Sequence, residues 1–192
     1  TIVIANDFGN PFPEFLNKSI THASMVPTQL LRMINSIEQS SYTDKEIMLS
    51  SIKSILIGGA ACSDSIKIKA KSMGLPVFYS YGSSEMASLI SLTSLNSELS
   101  SSGAILPHAE FKISDQGELI VRGKSMFSGY FSKSEDGYYQ LITNLDADNY
   151  FHTKDIAIVN SDNEIVIKGR IDNMFISGGE NIYPEEIERA IS

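Results

Sequence analysis

Leu75-Pro76-Val77-Phe78-Tyr79 is an apolar run of strand length, and Tyr81-Gly82-Ser83-Ser84-Glu85 arrives where it stops. Glycine lets backbone come close to a ligand. Hydroxyls can donate to phosphate oxygens. A carboxylate is repelled by phosphate but can hold a Mg2+ that binds it. The segment therefore suggests a nucleotide phosphate and its metal at a strand end, although serine-rich turns also occur with no ligand.

The pattern upstream repeats the same grammar. Ile20 to Met25 is strand-like, and Pro27 opens an amphipathic helix with Leu30, Leu31, Ile34 and Ile37 on one face. Ile52 to Ile57 is a second strand, ending in Gly58-Gly59-Ala60-Ala61. Ser63 is placed to cap a helix whose polar face carries Lys67, Lys69 and Lys71, and Gly74 fits the position after its end. This alternation predicts an α/β fold, a mostly parallel sheet with flanking helices. Ligands of such sheets bind beyond the carboxyl ends of strands. Gly58-Gly59-Ala60 and Tyr81 to Glu85 are thus expected at one crevice.

Downstream the period changes. Ser94 to Ser102 reads as a loop. Ala109 to Ile113 and Glu118 to Arg122 alternate around Asp115-Gln116-Gly117, a hairpin signal. Asp136-Gly137 marks a second turn. Ser161-Asp162-Asn163 marks a third, between Ile156–Val159 and Glu164–Lys168. Short, closely spaced strands predict a small antiparallel β-barrel subdomain.

The chain of 192 residues is long enough for a sizeable core, and its net charge of −8 argues against nonspecific nucleic-acid binding. No segment reaches the ~20 apolar residues of a membrane span. The single cysteine, Cys62, excludes an internal disulfide, reads as a packed side chain, and fits a reducing, cytoplasmic setting. The apolar Ile2-Val3-Ile4 at one end and an uncapped helix from Pro184 to Ser192 at the other suggest a fragment of a longer chain.

Asp155, before an apolar strand, can accept two hydrogen bonds from a ribose diol, or act as a turn residue. Arg170, after Lys168-Gly169, can pair with phosphate or with a surface carboxylate. Gly58-Gly59-Ala60 can let a flat ring lie on backbone, or simply make a tight turn. His22, His108 and His152 show no metal spacing and read as packing or surface residues. Walker A, G-x-G-x-x-G and G-x-S-x-G patterns are absent.

Taken in order, these segments resemble the adenylate-forming superfamily of acyl-CoA synthetases, adenylation domains and luciferases. Tyr81 to Glu85 is similar to its Y-G-x-T-E motif, and Thr153-Lys154-Asp155 to T-G-D. Gly169-Arg170-Ile171-Asp172 is similar to the G-R-x-D hinge, and Ser177 to Asn181 with Pro184 to Glu188 to the start of a C-terminal lid. Gly117-Glu118-Leu119 through Gly129-Tyr130 resembles the barrel entry. Thr21 to Leu30, Leu56 to Ala61 and Gly169 to Pro184 are most similar to the CoA ligases of menaquinone synthesis, which tend to carry a basic residue in T-G-D, as Lys154 does.

The resemblance implies an ATP-dependent carboxylate–CoA ligase using ATP, Mg2+ and coenzyme A on an aromatic carboxylate, and is compatible with a homo-oligomer. It implies that Tyr81 stacks on adenine, that Gly82 and Ser84 contact nucleotide, and that Glu85 holds Mg2+, with Ser84 and Glu85 catalytic. Asp155 and Arg170 would bind ribose. His22, Gly58, Gly59, Ala60 and Gly82 would line the acyl pocket. Asp172 would be the hinge, and Gly178, Gly179 and Glu180 would meet coenzyme A. Domains are expected at 1–104, 105–171 and 172–192. The family's phosphate loop and catalytic lysine would lie before Thr1 and beyond Ser192, so this chain alone is expected not to complete adenylation. Another acyl-CoA synthetase, an amino-acid adenylation domain and a non-catalytic nucleotide- or acyl-binding module remain as alternatives.

Overall fold

A computed structural model of the chain describes residues 12–191. Its contacts divide the described residues into two compact units: 12–80 with 93–99, and 81–92 with 100–191. The expected strand at Ile2-Val3-Ile4 lies outside the described residues.

The first unit is α/β. Its elements are α1 (Phe12–Lys18), β1 (His22–Met25), α2 (Pro27–Gln39), α3 (Tyr42–Ser51), β2 (Ser54–Ile57), α4 (Asp64–Ser72) and the start of β3 (Val77–Ser83). β1 pairs β2 and β2 pairs β3, both in parallel, as the alternation predicts. Pro27 occupies the first turn of α2, where its missing N–H would have had no partner. The Gln29 side chain accepts from the Val26 backbone N–H at 3.0 Å and closes that end. Leu30, Met33, Ile34 and Ile37 are buried, each contributing roughly 1.5–3 kcal/mol of apolar burial. Leu31, expected on the same face, lies at the boundary, and Met33 takes its place. Gly74 has φ +71°, the left-handed conformation expected after α4. Lys67 departs from the expected polar face: its ammonium donates to the Leu99 carbonyl and lies 3.8 Å from Asp64.

The second unit holds the end of β3, β4 (Ser88–Leu92), β5 (Ala104–Ile105), β6 (Ala109–Ile113), β7 (Glu118–Gly123), β8 (Tyr130–Lys133) and β9 (Tyr139–Ile142). β10 (Phe151–Val159), β11 (Ile165–Arg170), β12 (Phe175–Ser177), β13 (Glu180–Ile182) and α5 (Pro184–Ile191) complete it. All three expected turns are present, with left-handed Gly117, Gly137 and Asn163 at φ +82°, +88° and +60°. The expected barrel differs: among the described residues the strands do not close. β11-β10-β7-β6 form an open antiparallel sheet, while β8 and β9 pair with each other. The core under the open sheet comprises Met86, Ile90, Leu119, Val121, Phe151, Ala157 and Ile165.

Candidate functional site

β3 does not stop at Tyr79. It runs through Tyr81 and Gly82 to Ser83, and a single 3-10 turn, Ser84–Met86, follows. Gly82 explains the extra length. A Cβ there would stand 1.8 Å from the Ser88 carbonyl oxygen, so only glycine admits this approach of β4. Met86, 1% exposed, anchors the turn in the core. Ala87 and Ser88, at φ +56° and +140°, reverse the chain into β4. Ser84 is exposed, and Glu85 beside it is half-buried.

Glu85 is held from two sides. The Tyr130 hydroxyl donates to its carboxylate at 2.6 Å, and the Phe127 N–H donates to its carbonyl at 2.7 Å. The Phe127 ring packs edge-on against Tyr130, 4.8 Å between centroids. Burial alone would push the Glu85 carboxyl up, but hydrogen bonding, foremost from Tyr130, outweighs it and leaves the pKa below its ordinary value. The same contact, with some burial, raises the Tyr130 phenol to about 12.

Asp155 and Arg170 face each other as cross-strand partners of β10 and β11. The Tyr81 hydroxyl donates to one Asp155 oxygen at 2.5 Å, and the Arg170 guanidinium donates to the other at 3.3 Å. Burial raises the Asp155 pKa despite both partners. Burial and the adjacent carboxylate also raise that of Tyr81. Each Asp155 oxygen keeps a second lone pair, which is what a vicinal diol needs.

Asp155 is aimed by a bulge. Between the β7–β10 pairs His152–Ile120 and Ile156–Glu118, three residues stand against Leu119 alone. Thr153 locks it, donating to the Leu119 carbonyl at 2.6 Å and accepting from the Asp155 N–H at 3.1 Å. Glu118 accepts from the Lys154 N–H at 2.9 Å and faces His152 at 2.8 Å. Lys154 has φ +63°, which accounts for glycine at this place in a T-G-D pattern. Its ammonium lies 3.2 Å from both oxygens of Asp172, and Arg170 lies 3.7 Å from the same carboxylate.

Tyr81, Glu85, Asp155, Arg170 and Asp172 are thus brought together in the second unit, and the Arg170 charge also helps to depress the Glu85 pKa. Asp172 sits in the short turn Ile171–Asn173. Gly178 and Gly179, at φ +62° and +89°, form the tip of the β12–β13 hairpin, with Glu180 exposed beside them. His22 and Gly58-Gly59-Ala60 belong to the first unit. His22 is exposed on β1, 2.9 Å from the Thr21 hydroxyl. Gly59 has φ +81°. Two hollows, about 610 and 250 Å3, are lined by other residues, among them Arg122 and Lys124 in one and Lys67 and Leu95 in the other. Tyr130, Thr153 and Glu118 stand in motifs legible in the sequence, but the sequence assigns them no role, since their partners Glu85, Leu119 and Lys154 lie 34 or more positions away.

The chain is similar to proteins of known family. The model of the family described as AMP-binding enzyme matches residues 1–131, and the chain belongs to that family. It is 36% identical over 172 residues to the 2-succinylbenzoate–CoA ligase of Escherichia coli K12, an alignment covering 90% of this chain and 34% of the relative. The Listeria monocytogenes serotype 4b enzyme of the same name is 32% identical over 171 residues, covering 87% of this chain and 34% of its own length. Among solved structures, wild-type E. coli MenE with a bound analogue of OSB-AMS superposes with TM-score 0.70 at 33% identity, covering 94% of this chain and 37% of that one. Bacillus subtilis MenE in complex with ATP and magnesium ion superposes with TM-score 0.71 at 27% identity, covering 90% and 36%. The chain therefore spans about a third of the length of the relatives it matches.

Proposed function

We propose that this chain carries the nucleotide-facing wall of an ATP-dependent 2-succinylbenzoate–CoA ligase of menaquinone synthesis, a cytoplasmic enzyme. The observation that carries the reading is the string Tyr81–Asp155–Arg170 beside Glu85. Asp155 and Arg170 take the ribose hydroxyls, Tyr81 offers an aromatic face to adenine, and Gly82 and Ser84 meet the nucleotide with backbone and hydroxyl. His22, Gly58, Gly59 and Ala60 serve the acyl substrate from the first unit, and Gly82 is assigned to it as well as to the nucleotide. Asp172 is the hinge of a lid, and Gly178, Gly179 and Glu180 meet coenzyme A.

Glu85 fits a magnesium ligand: it is ionised at neutral pH, half-buried, and a lone carboxylate of the kind that binds Mg2+ together with substrate phosphates. A Mg2+ held there would neutralise charge on the polyphosphate. In the overall reaction the substrate carboxylate displaces pyrophosphate from the α-phosphorus of ATP, and the thiol of coenzyme A then displaces AMP from the mixed anhydride. The residues named here hold ATP for the first displacement, where positioning supplies most of the catalysis. The open antiparallel sheet corresponds, in this reading, to the family's barrel subdomain, and the functional boundaries are 1–104, 105–171 and 172–192.

ATP–pyrophosphate exchange by the longer protein, with 2-succinylbenzoate set against other carboxylates, tests the assignment. Exchange is expected with 2-succinylbenzoate, and none with any aryl acid would overturn it. Glu85→Gln is expected to slow exchange about 100-fold. For this chain alone, calorimetry with AMP distinguishes a retained nucleotide wall from a scaffold, which would give no heat at millimolar AMP.

A further inference from the structure

We propose that Lys154 is a positioning residue that latches the Asp172 turn to the β10 bulge, and so sets how readily the segment from 171 to 183 leaves its place. On the reading above, that segment is the root of the lid, and the latch's functional meaning rests on that reading.

The observations converge on one side chain. Lys154 occupies a left-handed backbone position, φ +63°, where glycine fits without steric opposition. A lysine there is locally unfavourable. Its backbone is fixed first, because the N–H donates to Glu118 and the flanking Thr153 ties the bulge to β7. The ammonium therefore starts from a fixed base and reaches both oxygens of Asp172 at 3.2 Å. Asp172 lies between β11 and the β12–β13 hairpin, within the three-residue turn Ile171–Asn173. Arg170 completes the string, touching Asp172 at 3.7 Å and Asp155 at 3.3 Å.

Among the described residues the segment has other attachments. Asn173 donates to Glu185 at 2.6 Å, and a Cβ on Gly169 would stand 2.9 Å from Tyr183, so the chain returns closely onto β11 at that point. Phe175 and Ile176 are exposed. Since the Lys154 and Asp172 side chains are 57% and 50% exposed, the latch is weak and screened by salt. A weak latch suits a turn that must open and close repeatedly.

Amide hydrogen exchange on this chain tests the proposal. In Lys154→Met, amides from 171 to 183 are expected to exchange about threefold faster, while those of β7 are unchanged. Lys154→Arg should restore the wild-type rate. Lys154→Gly, which relaxes the backbone and so should fold at least as well, should still exchange faster in this segment. Raising salt should speed wild type toward the Met variant and move that variant less, since only its Arg170–Asp172 pair remains to be screened. Unchanged exchange from 171 to 183 in both the Met and Gly variants would overturn the latch, as would equal acceleration in β7 and the segment. ATP–pyrophosphate exchange by the longer protein is read separately, so its failure would sink the ligase reading and leave this result standing.

Discussion

Gly58 and Gly82 both stand at the carboxyl end of a strand, one in each compact unit, and they are small for different reasons. A Cβ on Gly58 would meet the Ser80 hydroxyl at 2.7 Å, the end of a side chain that can turn away by giving up its 3.0 Å hydrogen bond to the Ile57 carbonyl. A Cβ on Gly82 would meet the Ser88 carbonyl at 1.8 Å, and backbone cannot turn away. The first unit's glycine loop is built by leaving side chains out. The second unit's site is built by pairing side chains, with Gly82 closing the strand pair that supports them. Loss of a side chain should therefore matter in the second unit, and gain of one in both, but unequally.

The sharpest way to break this contrast is Gly82→Ala. It is expected to destabilise the protein by about 3 kcal/mol, read from urea midpoints, because β4 must move off β3. Gly58→Ala is expected to cost under about 1 kcal/mol, and a large loss there would erase the distinction. Next in size is Tyr81→Phe. It removes a charge-assisted hydrogen bond from a buried carboxylate, for about 2 kcal/mol by the same measurement. Gly59→Ala follows at about 1 kcal/mol. Its nearest neighbour, Val26, is 3.5 Å from the added carbon, so only the φ of +81° opposes it.

The smallest effect has opposite signs at the two carboxylates. Glu85 is held below its ordinary pKa, so its ionised form supports the fold above the unfolded pKa, and that support is lost as pH falls through the lowered value. Asp155 is held above its ordinary pKa, so its support is full below the unfolded pKa and is lost as pH rises through the raised value. Melting temperatures across the carboxylate range should therefore show the wild-type advantage over Glu85→Gln shrinking in acid, and that over Asp155→Asn growing. Parallel trends would show that the two carboxylates share one environment.

Much of the fold was legible because it is written locally. Pro27, the apolar spacing of α2, and the turn residues Gly117, Gly137 and Asn163 each act within a few positions. α3 was missed because its apolar residues keep no single face: Met48 is buried, while Ile47 and Leu49 are exposed. The sequence predicts a barrel because alternation gives strand faces but not which edges meet, and among the described residues β8 and β9 pair with each other alone. Asp155 and Arg170 could be nominated from sequence, but their direct opposition depends on register across β10 and β11 and on a bulge in each pairing of β10. The role of Tyr130 was illegible for a related reason, as it lies 45 positions from the Glu85 it holds.

The alternation Asp155, Arg170, Asp172, Lys154 has an electrostatic consequence for anything that approaches it. Its two carboxylates and two cations sum to zero, inside a chain whose net charge is −8. A polyphosphate arriving from solution meets no local surplus of positive charge along this string, and the surrounding field repels it. On the proposed reading, the attraction would travel with the nucleotide, as a divalent cation. Added salt should then hasten encounter by screening the repulsion, the reverse of what a basic, steering site would show.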